Sequence, residues 1–126
     1  MKSPIARILY TEDDADTREL VTYVLTDVNF EVVAAEDYDE ALRLARAEHF
    51  DLYVIDTWMP GASGIDLCKQ LREFDSQTPI LFYFGAAYDA DKQRALASGA
   101  QGYVTKPADS DELIAEVLRL VSAAKS

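Results

Sequence analysis

The chain has 126 residues, 12 Lys+Arg against 23 Asp+Glu for a formal charge of −11, and 49% apolar residues. That length accommodates one domain around one core, and the apolar share excludes a disordered chain. The negative charge excludes a bare nucleic-acid-binding surface, which phosphate backbones would be repelled by.

Apolar runs and helical stripes alternate five times along the chain. The first run, within 6–11, ends at Glu12-Asp13, and a helical pattern over 15–28 follows with the stripe Leu20, Val21, Val24, Leu25 and Val28. A second run at 30–34 leads to a helix over 38–48, where Asp37 and Glu40 have capping-box spacing. The third run, 52–56, ends on Asp56. A helix over 64–74 begins at Ser63 with Asp66 three residues on, and Cys68 shares its apolar face with Ile65, Leu71 and Phe74. As the only cysteine it has no disulfide partner, and that face makes it a core residue. The fourth run, 79–84, ends in Tyr83-Phe84, and the helix after it, 89–98, is poor in large apolar residues. Gly99 and Gly102 bracket the turn into the fifth run, 101–105, which stops before Lys106. The last helix, 110–123, starts at Asp109 and Glu112 with capping spacing and carries Leu113, Ile114, Val117, Leu118 and Val121 on one face. Nothing in the sequence reads as a signal peptide or a membrane span, so a cytoplasmic protein with no membrane partner is expected.

Five βα units predict a doubly wound, five-stranded parallel sheet of the flavodoxin-like (βα)5 kind, with helices on both faces. In the order 2-1-3-4-5 the first and third strands lie side by side at a switch point, where such sheets bind ligands beyond their carboxyl ends. Spacing does not prove this order, but the chemistry of the strand ends agrees with it. Glu12, Asp13, Asp56 and Lys106 would meet at one edge, a set suited to a divalent cation and a phosphoryl group.

Mg²⁺ takes six oxygen ligands, commonly one or two carboxylates with waters and a phosphate oxygen. Asp13 and Asp56 are the expected direct ligands, Glu12 reaches through water, and the Trp58 backbone carbonyl could add an oxygen. An aspartate carboxylate is also a nucleophile toward phosphorus, and transfer depends on in-line positioning and charge neutralisation. The Lys106 ammonium would provide part of that neutralisation.

Several stretches together carry a resemblance: Ile8-Leu9-Tyr10-Thr11-Glu12-Asp13-Asp14, Asp56-Thr57-Trp58-Met59-Pro60-Gly61-x-x-Gly64, Pro79-Ile80-Leu81-Phe82, and Gly99-Ala100-x-Gly102-Tyr103-x-x-Lys106-Pro107. Over nearly its whole length the sequence resembles the receiver domain of two-component response regulators, similar to the stand-alone chemotaxis type. The resemblance implies one receiver domain over 1–126, Asp56 as phosphoacceptor, Mg²⁺ held by Glu12 and Asp13, and Lys106 on the phosphoryl group. It makes Tyr103 the aromatic that moves between exposed and buried positions on activation. It also implies a phosphoryl donor, either a sensor histidine kinase or a phosphotransfer protein. A downstream protein partner is implied too, with signalling through the fourth helix, fifth strand and fifth helix; the same face could form a homodimer.

The family has Ser or Thr five residues after the proline of the fourth strand. Counting from Pro79, this chain has Phe84 there. Phe84 has no hydroxyl for a phosphoryl oxygen, and strand alternation directs the neighbouring Tyr83 hydroxyl to the other face. Impaired switching is therefore expected. Among lesser signals, Asp14 reads as a helix cap, His49 as surface, and Trp58 as an aromatic beside the site. Three other readings compete: a phosphorylation-independent module of the same fold, a phosphatase with an aspartate nucleophile, and a flavin-binding domain. Asp56-Thr57-Trp58 lacks the second aspartate of the phosphatase signature, so the chain is read as no enzyme. The acidic loop after the first strand would repel a flavin phosphate.

Overall fold

The chain is known as a computed structural model that describes residues 3–56, 58–59, 62–84, 89–105 and 110–124; the side chains at 58, 59, 62, 63, 84, 89–92 and 110 lie outside that description. In chain order the elements are β1 (Arg7–Thr11), α1 (Ala15–Asp27), β2 (Glu31–Ala35), α2 (Tyr38–Ala47), β3 (Leu52–Asp56), β4 (Trp58–Met59), β5 (Ala62–Ser63), α3 (Gly64–Phe74), β6 (Ile80–Phe84), α4 (Asp89–Ala97), β7 (Gly102–Thr105) and α5 (Ser110–Ala124). Strands β4 and β5 form a short antiparallel ribbon. The other five make one parallel sheet in the order β2-β1-β3-β6-β7, which is the expected 2-1-3-4-5 once the ribbon is set apart. This is the flavodoxin-like (βα)5 fold.

The side-chain period of two divides each inner strand between two cores. Ile8, Tyr10, Leu52, Val54, Leu81 and Tyr83 face α1 and α5, where Val21, Leu25, Leu113 and Val117 cover them. Leu9, Tyr53, Ile55, Ile80 and Phe82 face the other way, toward α2, α3 and α4. Tyr83 thus points away from the Phe82 face, as alternation requires. Strand β3 is buried throughout, which is why its sequence is a continuous apolar run rather than an alternating one.

Helix starts follow the expected chemistry. The Asp14 carboxylate accepts from Thr17 N at 2.9 Å and Asp37 from Glu40 N at 2.8 Å, so both cap their helices. The Asp109 cap lies outside the described residues. Asn29, with φ 72°, turns the chain out of α1 in the left-handed conformation that asparagine tolerates.

Some stripe residues differ from expectation. Leu20 is 63% exposed, and Phe74 and Leu118 are also exposed. Each sits at the margin of its apolar stripe, away from the residues that the sheet covers. Arg46 places its guanidinium 5.2 Å from the Phe74 ring centroid, which partly covers that aromatic. Leu120, absent from the expected stripe, is buried. Cys68 is core as expected: burial raises its thiol pKa, and its Sγ donates to the Ser98 carbonyl at 3.4 Å. His49 is at the surface. Among the described residues no helix is long and apolar enough to cross a membrane.

Candidate metal and phosphoryl site

The register of two strands builds the site. Thr11 on β1 pairs with Ile55 on β3, so the residues that follow, Glu12 and Asp56, arrive level with each other at the carboxyl edge of the sheet. Glu12 N donates to the Ala35 carbonyl at 3.0 Å, which carries the β1–β2 ladder one residue further and holds the Glu12 backbone. Asp13 follows at the start of the loop into α1. One carboxylate oxygen from each of Glu12, Asp13 and Asp56 lies within 4.8 Å of the others. Glu12 and Asp56 are 2% and 3% exposed, while Asp13 faces solvent.

Burying two carboxylates this close together is costly without compensation. Part of it is visible in the surrounding donors. The Tyr10 hydroxyl donates to Glu12 Oε1 at 2.9 Å, and Asp14 N approaches Glu12 Oε2 at 3.4 Å. The Tyr38 hydroxyl donates to the Asp56 backbone carbonyl at 3.2 Å. Arg18, one turn into α1, donates to the Glu12 carbonyl at 3.0 Å and pairs with Glu36 at 3.6 Å. The remaining charge acts on the neighbouring phenols. Burial raises the Tyr10 pKa first, and the Glu12 charge adds to it; burial raises that of Tyr38 first, and the Asp56 and Asp13 charges add to it.

Three hard carboxylate oxygens at this separation suit a small divalent cation, whose opposed ligands in an octahedron stand roughly 4.2 Å apart. Among the described residues the donor set is all carboxylate oxygen, which fits Mg²⁺, with none of the soft or imidazole ligands that softer metals prefer.

Of the residues named from sequence, Glu12, Asp13 and Asp56 converge. Trp58 follows two positions after Asp56, in β4, with its side chain outside the described residues. Lys106 lies outside the described residues altogether. Phe84 ends β6 with its backbone paired to Thr105, and its side chain is outside the description. Tyr103 is on β7, paired with Phe82, and is 36% exposed. Sequence reasoning missed Tyr10, Arg18 and Tyr38 as site neighbours. Tyr10 was within reach, since it precedes Glu12 by two residues on one strand face. Tyr38 had no local signal, because only the packing of α2 on the sheet brings it to Asp56.

Residues 8–118 match the response regulator receiver domain family. The chain is 40% identical over 112 residues, 89% of its length, to the uncharacterized transcriptional regulatory protein YrkP of Bacillus subtilis, covering 48% of that protein. It is 39% identical over 114 residues, 88% of its length, to the phosphate regulon transcriptional regulatory protein PhoB of Escherichia coli, covering 49% of it. It thus spans about half the length of these curated relatives. Its backbone matches the receiver domain of the Francisella response regulator 1452 with a TM-score of 0.88 and 31% identity, over 94% of this chain and 98% of that one. With the family matched across both the acidic edge and the sheet that creates it, the chain belongs to the response regulator receiver domains.

Proposed function

We propose that the domain accepts a phosphoryl group on Asp56 from a sensor histidine kinase or phosphotransfer protein and signals to a protein partner through α4, β7 and α5, with that coupling weakened by Phe84 at the switch position. The observation that carries this reading is the level convergence of Glu12, Asp13 and Asp56 at the carboxyl end of the central strands. Asp56 offers a carboxylate oxygen to phosphorus. As the new P–O bond forms, the P–N bond of the donor phosphohistidine breaks, and the imidazole nitrogen keeps the electron pair and takes up a proton. Glu12 and Asp13, with Asp56, would hold Mg²⁺; when bound it supplies charge neutralisation on the phosphoryl oxygens. By the family resemblance, the Lys106 ammonium would serve the same end. In relatives such as PhoB the receiver is part of a transcriptional regulatory protein, and a regulatory output fits this domain as well.

A second reading rests on Phe84, which removes the hydroxyl expected at the switch position. In it the domain binds partners without phosphorylation. Intact-mass spectrometry after incubation with acetyl phosphate and Mg²⁺ separates the two. Gain of one phosphoryl group, lost in Asp56→Asn, supports the first; no gain in a protein that binds Mg²⁺ supports the second.

A further inference from the structure

Tyr10 is fully buried on the face of β1 that packs under α1 and α5, yet it carries a hydroxyl. A buried phenol needs an acceptor, and here it is Glu12 Oε1 at 2.9 Å, two residues along the same strand face. Glu12 Oε2 is approached by Asp14 N at 3.4 Å, so the carboxylate is held from both sides. Its rotation is restricted, and a carboxylate so held presents its oxygens in a fixed orientation. A phenylalanine at position 10 would fill the same apolar space and hold nothing.

We infer that Tyr10 is a positioning residue of the acidic cluster, fixing the Glu12 carboxylate so that the site prefers Mg²⁺ to the larger Ca²⁺. The inference rests on the Mg²⁺-binding reading above. Mg²⁺ demands near-ideal octahedral geometry with oxygens at about 2.0–2.1 Å, whereas Ca²⁺ accepts irregular shells at about 2.3–2.6 Å. A ligand or water-orienting group locked in place therefore favours Mg²⁺, and one free to swing loses that advantage while still serving Ca²⁺. Charge alone gives a different signature. Freeing a carboxylate from a donor strengthens its pull on both cations alike, so the ratio of the two affinities separates positioning from charge.

The test is titration calorimetry of wild type and Tyr10→Phe with Mg²⁺ and with Ca²⁺, backed by thermal melts of the metal-free proteins. Tyr10→Phe keeps the ring and removes one oxygen. The expected result is Mg²⁺ binding weakened about five- to tenfold with Ca²⁺ binding changed less than about twofold. In a Glu12→Gln background the same Tyr10→Phe change should leave Mg²⁺ binding where Glu12→Gln alone put it, since the coupling partner is already altered. Should Tyr10→Phe melt too low for titration, the same comparison is made at a lower temperature at which all the proteins are folded. Equal shifts for both cations, or a change in melting temperature with neither affinity moved, would overturn the positioning role and leave the Mg²⁺ site intact. Failure of the wild type to bind Mg²⁺ would overturn both.

Discussion

Arg72, near the end of α3, donates from Nε and Nη2 to the carbonyl of Gly99, at 3.1 and 2.9 Å. Gly99 has φ +115°, and a Cβ there would come within 3.0 Å of Arg72 Cγ. The same guanidinium reaches Gln101 Oε1 at 2.7 Å, which also accepts from Ile80 N at 2.8 Å. One side chain of α3 thus sets the path by which the chain leaves α4 and enters β7. Arg72→Met keeps much of the aliphatic stem and should cost about 1–3 kcal/mol in urea unfolding. Gly99→Ala combines backbone strain with the close approach and should cost about 1–2 kcal/mol. A loss below about 0.5 kcal/mol for Arg72→Met would mean that water replaces the guanidinium.

Asp75 should dominate part of the acid limb of stability. Gln77 N and Thr78 N donate to its Oδ1, both at 3.0 Å, and the Thr78 and Tyr53 hydroxyls donate to Oδ2 at 2.7 and 2.8 Å. Burial pushes its pKa up, but these donors outweigh burial and bring it from 3.8 down to about 2. A folded-state pKa below the unfolded one stabilises above the unfolded value, and that contribution disappears as pH falls from about 4 through 2. Discounted for solvent contact, it is worth about 1 kcal/mol. Wild type should exceed Asp75→Asn by at least this much at pH 7, and urea unfolding at stepped pH should show the gap closing below pH of about 3.

The acidic cluster carries its own stability signature. Glu12, Asp13 and Asp56 repel one another without a cation, so Asp56→Asn should raise stability by about 1–2 kcal/mol in EDTA. In millimolar Mg²⁺ the gain should shrink or reverse, because the variant loses a ligand for the ion. Melting curves under the two conditions check this. Equal shifts in both would count against a shared cluster.

Residue 84 should govern coupling more than chemistry. The proposed chemistry at Asp56, with Glu12, Asp13 and Lys106, does not call on residue 84, so phosphoryl gain is expected in the wild type. Phe84→Thr or Phe84→Ser should speed that gain and make Tyr103 respond to it. Loss of a hydrogen bond to a charged group is worth roughly 1.5–3 kcal/mol, or about tenfold to a hundredfold in the active population. NMR with beryllofluoride and Mg²⁺, a mimic of the aspartyl phosphate, compares the two proteins directly. The same large shifts at Tyr103 and across 86–106 in both would show that Phe84 is no obstacle.

Local pattern determined much of this protein. Continuous apolar runs such as Leu52–Ile55 identify strands buried on two faces, and Asp14 and Asp37 mark helix starts, because backbone preference and capping act within a few residues. The acids at the strand ends identified Glu12, Asp13 and Asp56, since a parallel sheet brings its carboxyl ends to one edge. Tertiary structure decided the rest. Leu20 and Leu118 belong to apolar stripes yet stay exposed, because how far a helix face is covered depends on where the sheet ends beneath it. Tyr38 meets Asp56, and Arg72 meets Gly99, across 18 and 27 residues of sequence. Register and helix packing create such contacts, and no local spacing encodes them. The Tyr10–Glu12 bond lies between. Alternation places both side chains on one face, but only burial by α1 and α5 takes water from the phenol and leaves the carboxylate as its acceptor.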